Sequence, residues 1–368
     1  MQRFTRVLGL FTVVTCLFVS QVFAFQDVGN VSRVQNITRT VETMEINPTF
    51  VNAGQQVVFL VFDGDELNPQ MWDYSLVLSD RYGNHLEQLT PKGVVEYIVD
   101  YDTNKIRFLM VDPEGQPEPT EEQFFQNLTN WKLMEVSPVS KKITVMETAE
   151  GRPLTQGLKR LHVAKLFDNE HEKLCFSSPF GKEQIVVQRS LEHGKVVVKF
   201  LKVNETGQIQ RIFTSDSWKT YGHFGWYPSV QWLDAEHILT MVYRDLGNPK
   251  IPKNVGLFSI IKINLLTREA DVVFQSADIY PFTQLNLYPF TEEIVFQTVD
   301  GEGRYRALWS LNLETGVAEK LYWVKGDIGS VNISSDGASM VFTQLLDNNF
   351  DIVRLDLRQN NQLRFAQN

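Results

Sequence analysis

The segment Trp218-Lys219-Thr220-Tyr221-Gly222-His223-Phe224-Gly225-Trp226-Tyr227 concentrates aromatic rings, glycines and one imidazole in ten residues. Rings held on a glycine-punctuated loop make rigid apolar anchors for a protein or carbohydrate partner. Large rings are equally suited to wedging between packed sheets, and Trp226 and Tyr227 fit that role. Trp218, Tyr221, His223 and Phe224 are the candidate partner-binding residues, and Trp72, Phe124 and Phe125 extend the set.

Other constellations are thin. Glu114, Glu118, Glu121 and Glu122 crowd among three prolines between Asp112 and Glu122, the composition of a solvated loop or of a surface for a basic partner. Asp100-Tyr101-Asp102-Thr103-Asn104 starts like a calcium loop. It fails at Lys105, where glycine is needed, and at Val111, where the closing glutamate belongs. Asp63, Asp65 and Glu66 form a weaker acidic group. His85, His162, His171, His193, His223 and His237 show no zinc spacing, so no metal and no cofactor is expected. A G-x-S-x-G elbow is missing, and no catalytic residue is assigned. Propeller-type polysaccharide lyases and glycosidases, acting at a channel mouth, remain the enzymatic alternative.

The residues that position these loops read as almost all β. Short runs of Val, Ile, Phe and Leu are punctuated by 22 Gly, 14 Pro and many Asn and Asp, with no long stretch at helical period. One core recurs: Val57-Val58-Phe59, Ile106-Arg107-Phe108, Leu174-Cys175-Phe176, Ile238-Leu239-Thr240, Ile294-Val295-Phe296 and Met340-Val341-Phe342. Hairpins follow, turning at Asp80–Gly83, Asn204–Gly207 and Leu313–Gly316. The spacing suits the ~40–50 residues of a four-stranded blade. Six such sheets set radially cover one another; two stacked β-sandwiches are the alternative. The expectation is a six-bladed β-propeller of four-stranded antiparallel blades over 47–368, its channel lined by the first strand of each repeat. The last blade can draw its fourth strand from Asn361 to Phe365, leaving Val31 to Thr40 to add a strand at the closure or to lie on the surface. Loops joining second to third strands, and one blade to the next, share a face. Asp112 to Thr129, Asp216 to Pro228 and Arg244 to Val255 are its long members, so binding is assigned there.

The last repeat, Val331-Asn332-Ile333-Ser334-Ser335-Asp336-Gly337-Ala338-Ser339-Met340-Val341-Phe342 followed by Asn349 to Leu357, resembles the S-P-D-G … I-A-F … D-I-Y … D-L pattern of TolB-like six-bladed propellers. Ser335 stands in place of the proline, and the other five repeats keep mainly the apolar spacing. The resemblance covers the propeller portion alone, because the 25–46 segment is too short for the α/β domain that precedes TolB's propeller. It implies a bacterial envelope protein and identifies a fold better than a function.

Residues 1–24 read as a cleaved signal peptide: Arg3 and Arg6, an apolar run from Val7 to Ser20, and Val22-Phe23-Ala24. The run is short for a membrane span, and Cys16 follows Thr15 rather than the small residue a lipoprotein signal wants. Loss of Arg3 and Arg6 shifts the formal charge from −9 to −11. Nucleic acid is thereby disfavoured as a partner. Cys175, the one cysteine left, reads as a buried, inert thiol. Sequons stand at Asn30, Asn36, Asn127, Asn204 and Asn332. The functional expectation is a monomeric, periplasmic or secreted scaffold without enzymatic activity that binds a protein or glycan of the cell envelope.

Overall fold

A computed structural model of the chain describes residues 26–27, 34–38, 43–62, 64, 73–111, 129–161, 165–167, 172–192, 195–214, 230–244, 257–276, 280–287, 292–299, 305–346 and 349–357. They form six antiparallel sheets, each a four-stranded blade, and the chain is a six-bladed β-propeller.

Blade I is β3 (Met44–Val51), β4 (Gln56–Phe62), β5 (Tyr74–Asp80) and β6 (Leu86–Gln88). Blade II is β7 (Val94–Asp100), β8 (Lys105–Val111), β9 (Trp131–Val136) and β10 (Ile143–Ala149). Blade III comprises β12 (Glu172–Ser177), β13 (Gln184–Glu192), β14 (Lys195–Val203) and β15 (Ile209–Thr214), with β11 (Lys165–Phe167) added beside β12. Blade IV has β16 (Val230–Trp232), β17 (His237–Arg244), β18 (Leu257–Asn264) and β19 (Ala270–Ser276). Blade V has β20 (Tyr280–Leu287), β21 (Glu293–Val299), β22 (Tyr305–Asn312) and β23 (Ala318–Lys325). A two-residue strand, β1 (Gln26–Asp27), lies parallel to β23 against Glu319 and Lys320.

Blade VI completes the ring. β24 (Asp327–Ile333), β25 (Ser339–Leu346) and β26 (Asn349–Asp356) are joined at the outer edge by β2 (Val34–Asn36), antiparallel to β26. The N-terminal segment therefore supplies the fourth strand. Asn361 to Phe365, the other candidate, lie outside the described residues. Ile37 donates its backbone N–H to the Ile352 carbonyl at 2.8 Å, and the Thr38 hydroxyl accepts the Ile352 N–H at 2.8 Å. Ile37 is buried with Phe50, Val57 and Phe59 of blade I and Val341 and Ile352 of blade VI. One short strand thus ties the last blade to the first. Arg81, from the β5–β6 turn, reinforces the seam by donating to the Ser339 hydroxyl at 3.3 Å, which also accepts Nη2 of Arg354 at 3.1 Å.

Five of the six repeated cores fall in second strands, where side chains alternate between the two neighbouring blades and are buried on both. The third does not. Leu174-Cys175-Phe176 lies in β12, a first strand, and the fully buried equivalents of the other cores are Ile185 and Val187 in β13. Cys175 is consequently half-buried rather than buried. The displacement follows from an insertion after blade II, α1 (Leu154–Arg160) and β11. Leu154, Leu158 and Leu161 of this insertion pack on Leu109, Trp131 and Leu133, and Trp131 donates its indole N–H to the Pro153 carbonyl at 3.0 Å. Gly157 permits that approach, since a Cβ there would lie 2.9 Å from both Leu109 and Trp131.

Polar turn residues close the hairpins as their types require. Asn204, Asn264 and Asn312 each accept two or more backbone N–H groups from the turn they open.

Candidate functional site

None of Trp72, Phe124, Phe125, Trp218, Tyr221, His223 and Phe224 lies among the described residues, nor do Trp226, Tyr227 and the Asp112 to Glu122 cluster. The loop face assigned to binding can nonetheless be followed from the strand ends that bear it. Strand β22 begins there and β23 ends there, so their first and last side chains stand at that face of blade V.

The register of this pair builds an aromatic flank. Tyr305 lies opposite Lys325, Ala307 opposite Trp323 and Trp309 opposite Lys320, so all six side chains share one side of the sheet. That side is the one packed on blade IV, because Trp309 is buried with Phe274, Phe296 and Leu311. Simple alternation would put Trp323 with Leu321, whose side chain is buried against blade VI. A bulge between Leu308 and Trp309 inserts one extra β23 residue and turns Trp323 outward.

Trp323 is 58% exposed and Tyr305 37%, their rings edge to face with centroids 5.6 Å apart. Below them the Lys320 ammonium sits 5.3 Å from the centre of the Trp309 ring, a cation–π contact. Trp309 is itself fixed by donating its indole N–H to Thr298 Oγ1 at 2.8 Å. The supporting layer is rigid, while the two outer rings face solvent.

The other side of blade V packs apolar residues such as Leu308 and Leu321 on blade VI and is cross-linked to it by polar groups. Arg306 pairs with Asp327 at 2.8 Å, the buried Gln297 donates to the Gly329 carbonyl at 2.7 Å, and Tyr322 donates to Gln344 Oε1 at 2.6 Å. Burial pushes the Tyr322 phenol up, which keeps it protonated as that donor. Blade V is therefore held against its neighbour independently of Tyr305 and Trp323.

Of the remaining sequence candidates, Asp63, Asp65, Glu66, His162, His171 and His193 lie outside the described residues, while Asp100, His237 and Asn332 have structural partners. Thr103 foremost, then Asp102, donates its backbone N–H to Asp100, and Arg107 meets the same carboxylate at 3.0 Å; together they hold its pKa below the usual range. The carboxylate is engaged in its own turn. His237 lies between Asp234, at 2.9 Å, and Asn264, at 3.1 Å, within a turn. Asn332 accepts the Phe50 N–H at 3.0 Å across the closure, so this sequon side chain is committed inside the ring. Among the described residues no group of three His, Cys, Asp or Glu could hold a metal ion, and no helix is long and apolar enough to cross a membrane.

No protein-family model matches the chain, and no curated protein matches it. Among solved structures it is similar to an oligogalacturonate lyase in complex with manganese, at 12% identity over 90% of this chain and 95% of that one, with a TM-score of 0.43. It is similar to TolB from Acinetobacter baumannii at 10% identity, covering 86% of this chain and 78% of that one, with a TM-score of 0.38. A Trypanosoma rangeli sialidase in complex with the inhibitor DANA gives 12% identity, 94% and 60% coverage and a TM-score of 0.47. Likenesses this distant carry no argument about a site.

Proposed function

We propose that the chain is a TolB-like, exported scaffold of the cell envelope that binds a protein or glycan partner through its long-loop face, without catalytic turnover. The observation that carries this reading is the outward-turned Tyr305–Trp323 pair, exposed on that face over a rigid layer. The bulge itself recurs at the same place in blades III and IV and belongs to the scaffold; what supports binding is the exposed aromatic pair it presents in blade V, since aromatic anchors on ordered strands dominate binding energy. The long loops with Trp218, Tyr221, His223 and Phe224, together with Trp72, Phe124 and Phe125, extend the same face in this reading. In this reading residues 1–24 act as the export signal and the mature protein works in the periplasm or outside the cell.

Capture from an envelope extract tests it. Immobilised processed protein retains its partner, the Trp323→Ala variant retains about ten-fold less, as a loss of ~1.4 kcal/mol dictates, and Tyr82→Ala on the opposite face behaves as wild type. Equal capture by wild type and Trp323→Ala overturns the assignment.

A further inference from the structure

We propose that the two turns at one end of blade IV form an acid-released latch, in which neutral His237 holds the β18–β19 turn through Asn264 and the protonated ring lets it go. The two residues lie opposite one another in the β17–β18 ladder, and the Asn264 amide has a fixed orientation. Its Oδ1 accepts the backbone N–H groups of Leu266 and Thr267, both at 2.8 Å, so it is Nδ2 that faces His237 Nε2, at 3.1 Å. An amide nitrogen only donates, and Nε2 must therefore carry a lone pair. The ring proton sits on Nδ1, which donates to Asp234 Oδ2 at 2.9 Å. His237 is thus held as the neutral Nδ1–H tautomer, with one bond to each turn. Asp234 in turn fixes the β16–β17 turn, since Oδ1 accepts the N–H groups of Glu236 at 2.7 Å and His237 at 2.8 Å.

A proton from solvent enters at Nε2, the side chain being 24% exposed. The imidazolium then points an N–H at the Asn264 amide nitrogen, and two donors cannot share a bond. Asn264 cannot answer by flipping, because a flip gives up both backbone bonds that close the β18–β19 turn. Asp234 acts the other way. Burial opposes its ionisation, yet the Glu236 N–H and the His237 ring hold its pKa below the usual carboxylate range, so it stays an anion and keeps the cation. The ring therefore remains with the first turn and releases the second. Among the described residues the ring bonds only Asp234 and Asn264. The other charged groups at this end are Glu236 on the first turn, Arg268 and Glu269 on the second, all exposed, Lys262 opposite Asp271 next along the sheet, and Glu292 of blade V, whose carbonyl accepts the Leu313 N–H. Asn312 caps the equivalent turn of blade V in the same way but lies opposite Glu293 rather than a histidine, which makes that turn an internal control.

NMR of the protein labelled with nitrogen-15 in its histidines reads the tautomer, the His237 signals being identified by their loss in His237→Gln. At about pH 8, above the usual imidazole range, Nδ1 carries the proton and Nε2 does not. Amide exchange, corrected for its intrinsic pH dependence, reads the latch. Between about pH 8 and about pH 5, the range in which histidine titrates, the Leu266 and Thr267 N–H groups lose protection about three- to ten-fold, the worth of one hydrogen bond, while Glu314 and Thr315 in the blade V turn do not. Asn264→Asp still caps the turn but offers His237 an acceptor in place of a donor, so in this variant protection falls as pH rises. The proposal is overturned by a proton on Nε2 of the neutral ring, by Leu266 and Thr267 amides as protected in acid as at neutral pH, by an equal loss in the blade V turn, or by Asn264→Asp following the wild-type sense.

Discussion

Replacing Ile37 by alanine probes the closure directly. The side chain is 4% exposed and lies among Phe50, Val57, Phe59, Val341 and Ile352, residues drawn from both the first and the last blade. Truncation removes three methylene equivalents at ~0.8 kcal/mol each, or about 2.4 kcal/mol. The surrounding groups belong to sheets fixed by their own ladders, so collapse into the hole is limited and a cavity term raises the expected loss to ~3–4 kcal/mol, within the usual range for such truncations. Urea denaturation of the protein is the assay. The expected result is a lower midpoint with an unchanged slope, since ring and closure unfold together. Val34→Ala, on the same strand but at the surface, is the control and changes stability by less than ~0.5 kcal/mol. An Ile37→Ala midpoint equal to that of Val34→Ala would refute the closure described here. A separate early transition with a small slope would show that β2 frays by itself and that the ring stands without it.

Thr38→Val leaves the buried Ile352 N–H without its side-chain acceptor and costs ~1–3 kcal/mol, measured in the same denaturation series. Gly157→Ala destabilises by ~1–3 kcal/mol through overpacking against Leu109 and Trp131, although alanine favours a helix by ~1 kcal/mol; a raised melting temperature would contradict the packing of α1. Asp100 has a depressed pKa in the folded protein, so its contribution is present above the unfolded carboxylate value of about 3.9 and is lost as pH falls through the lower folded value. The stability difference between wild type and Asp100→Asn therefore narrows on acidification below about pH 4, which acid titration of the urea midpoint checks. Trp218→Ala and Phe224→Ala lose well under ~1 kcal/mol of stability if those rings are surface anchors and ~3–5 kcal/mol if they wedge between blades; a large loss in both removes them from the binding face.

The six-fold repeat was legible because second strands are buried on two sides, and burial on two sides demands runs such as Ile294-Val295-Phe296 with no polar break. The third repeat was misplaced for the same reason. Leu174-Cys175-Phe176 has the composition of a second strand, and nothing local separates it from Ile185-Val186-Val187; the hairpin between them decides, with Ser178 donating to the Glu183 carbonyl. The helix was missed because Leu154, Leu158 and Leu161 span barely two turns, too few for a periodic signal. Trp323 escaped attention because a bulge reverses the facing of every residue beyond it, and a bulge has no residue signature when neither glycine nor proline marks it. The exposed ring was therefore invisible to alternation, although the hairpin that carries it was recognised.

The bond between Thr38 and Ile352 joins residues 314 positions apart in the chain. Closing a flexible loop of that size carries an entropy penalty of roughly 5 kcal/mol, which no contact inside a single blade has to offset. Blades I to V can each form from neighbouring sequence, but blade VI stays three-stranded until the two ends of the domain meet. A chain made from its N-terminus delivers this strand first and holds it unpaired until the last hairpin has followed. That leaves β2 an unmatched sheet edge for the length of synthesis. Assembly is then timed by arrival of the last hairpin, and a chain cut short before β25 and β26 would present an open ring with two unmatched faces rather than a smaller propeller.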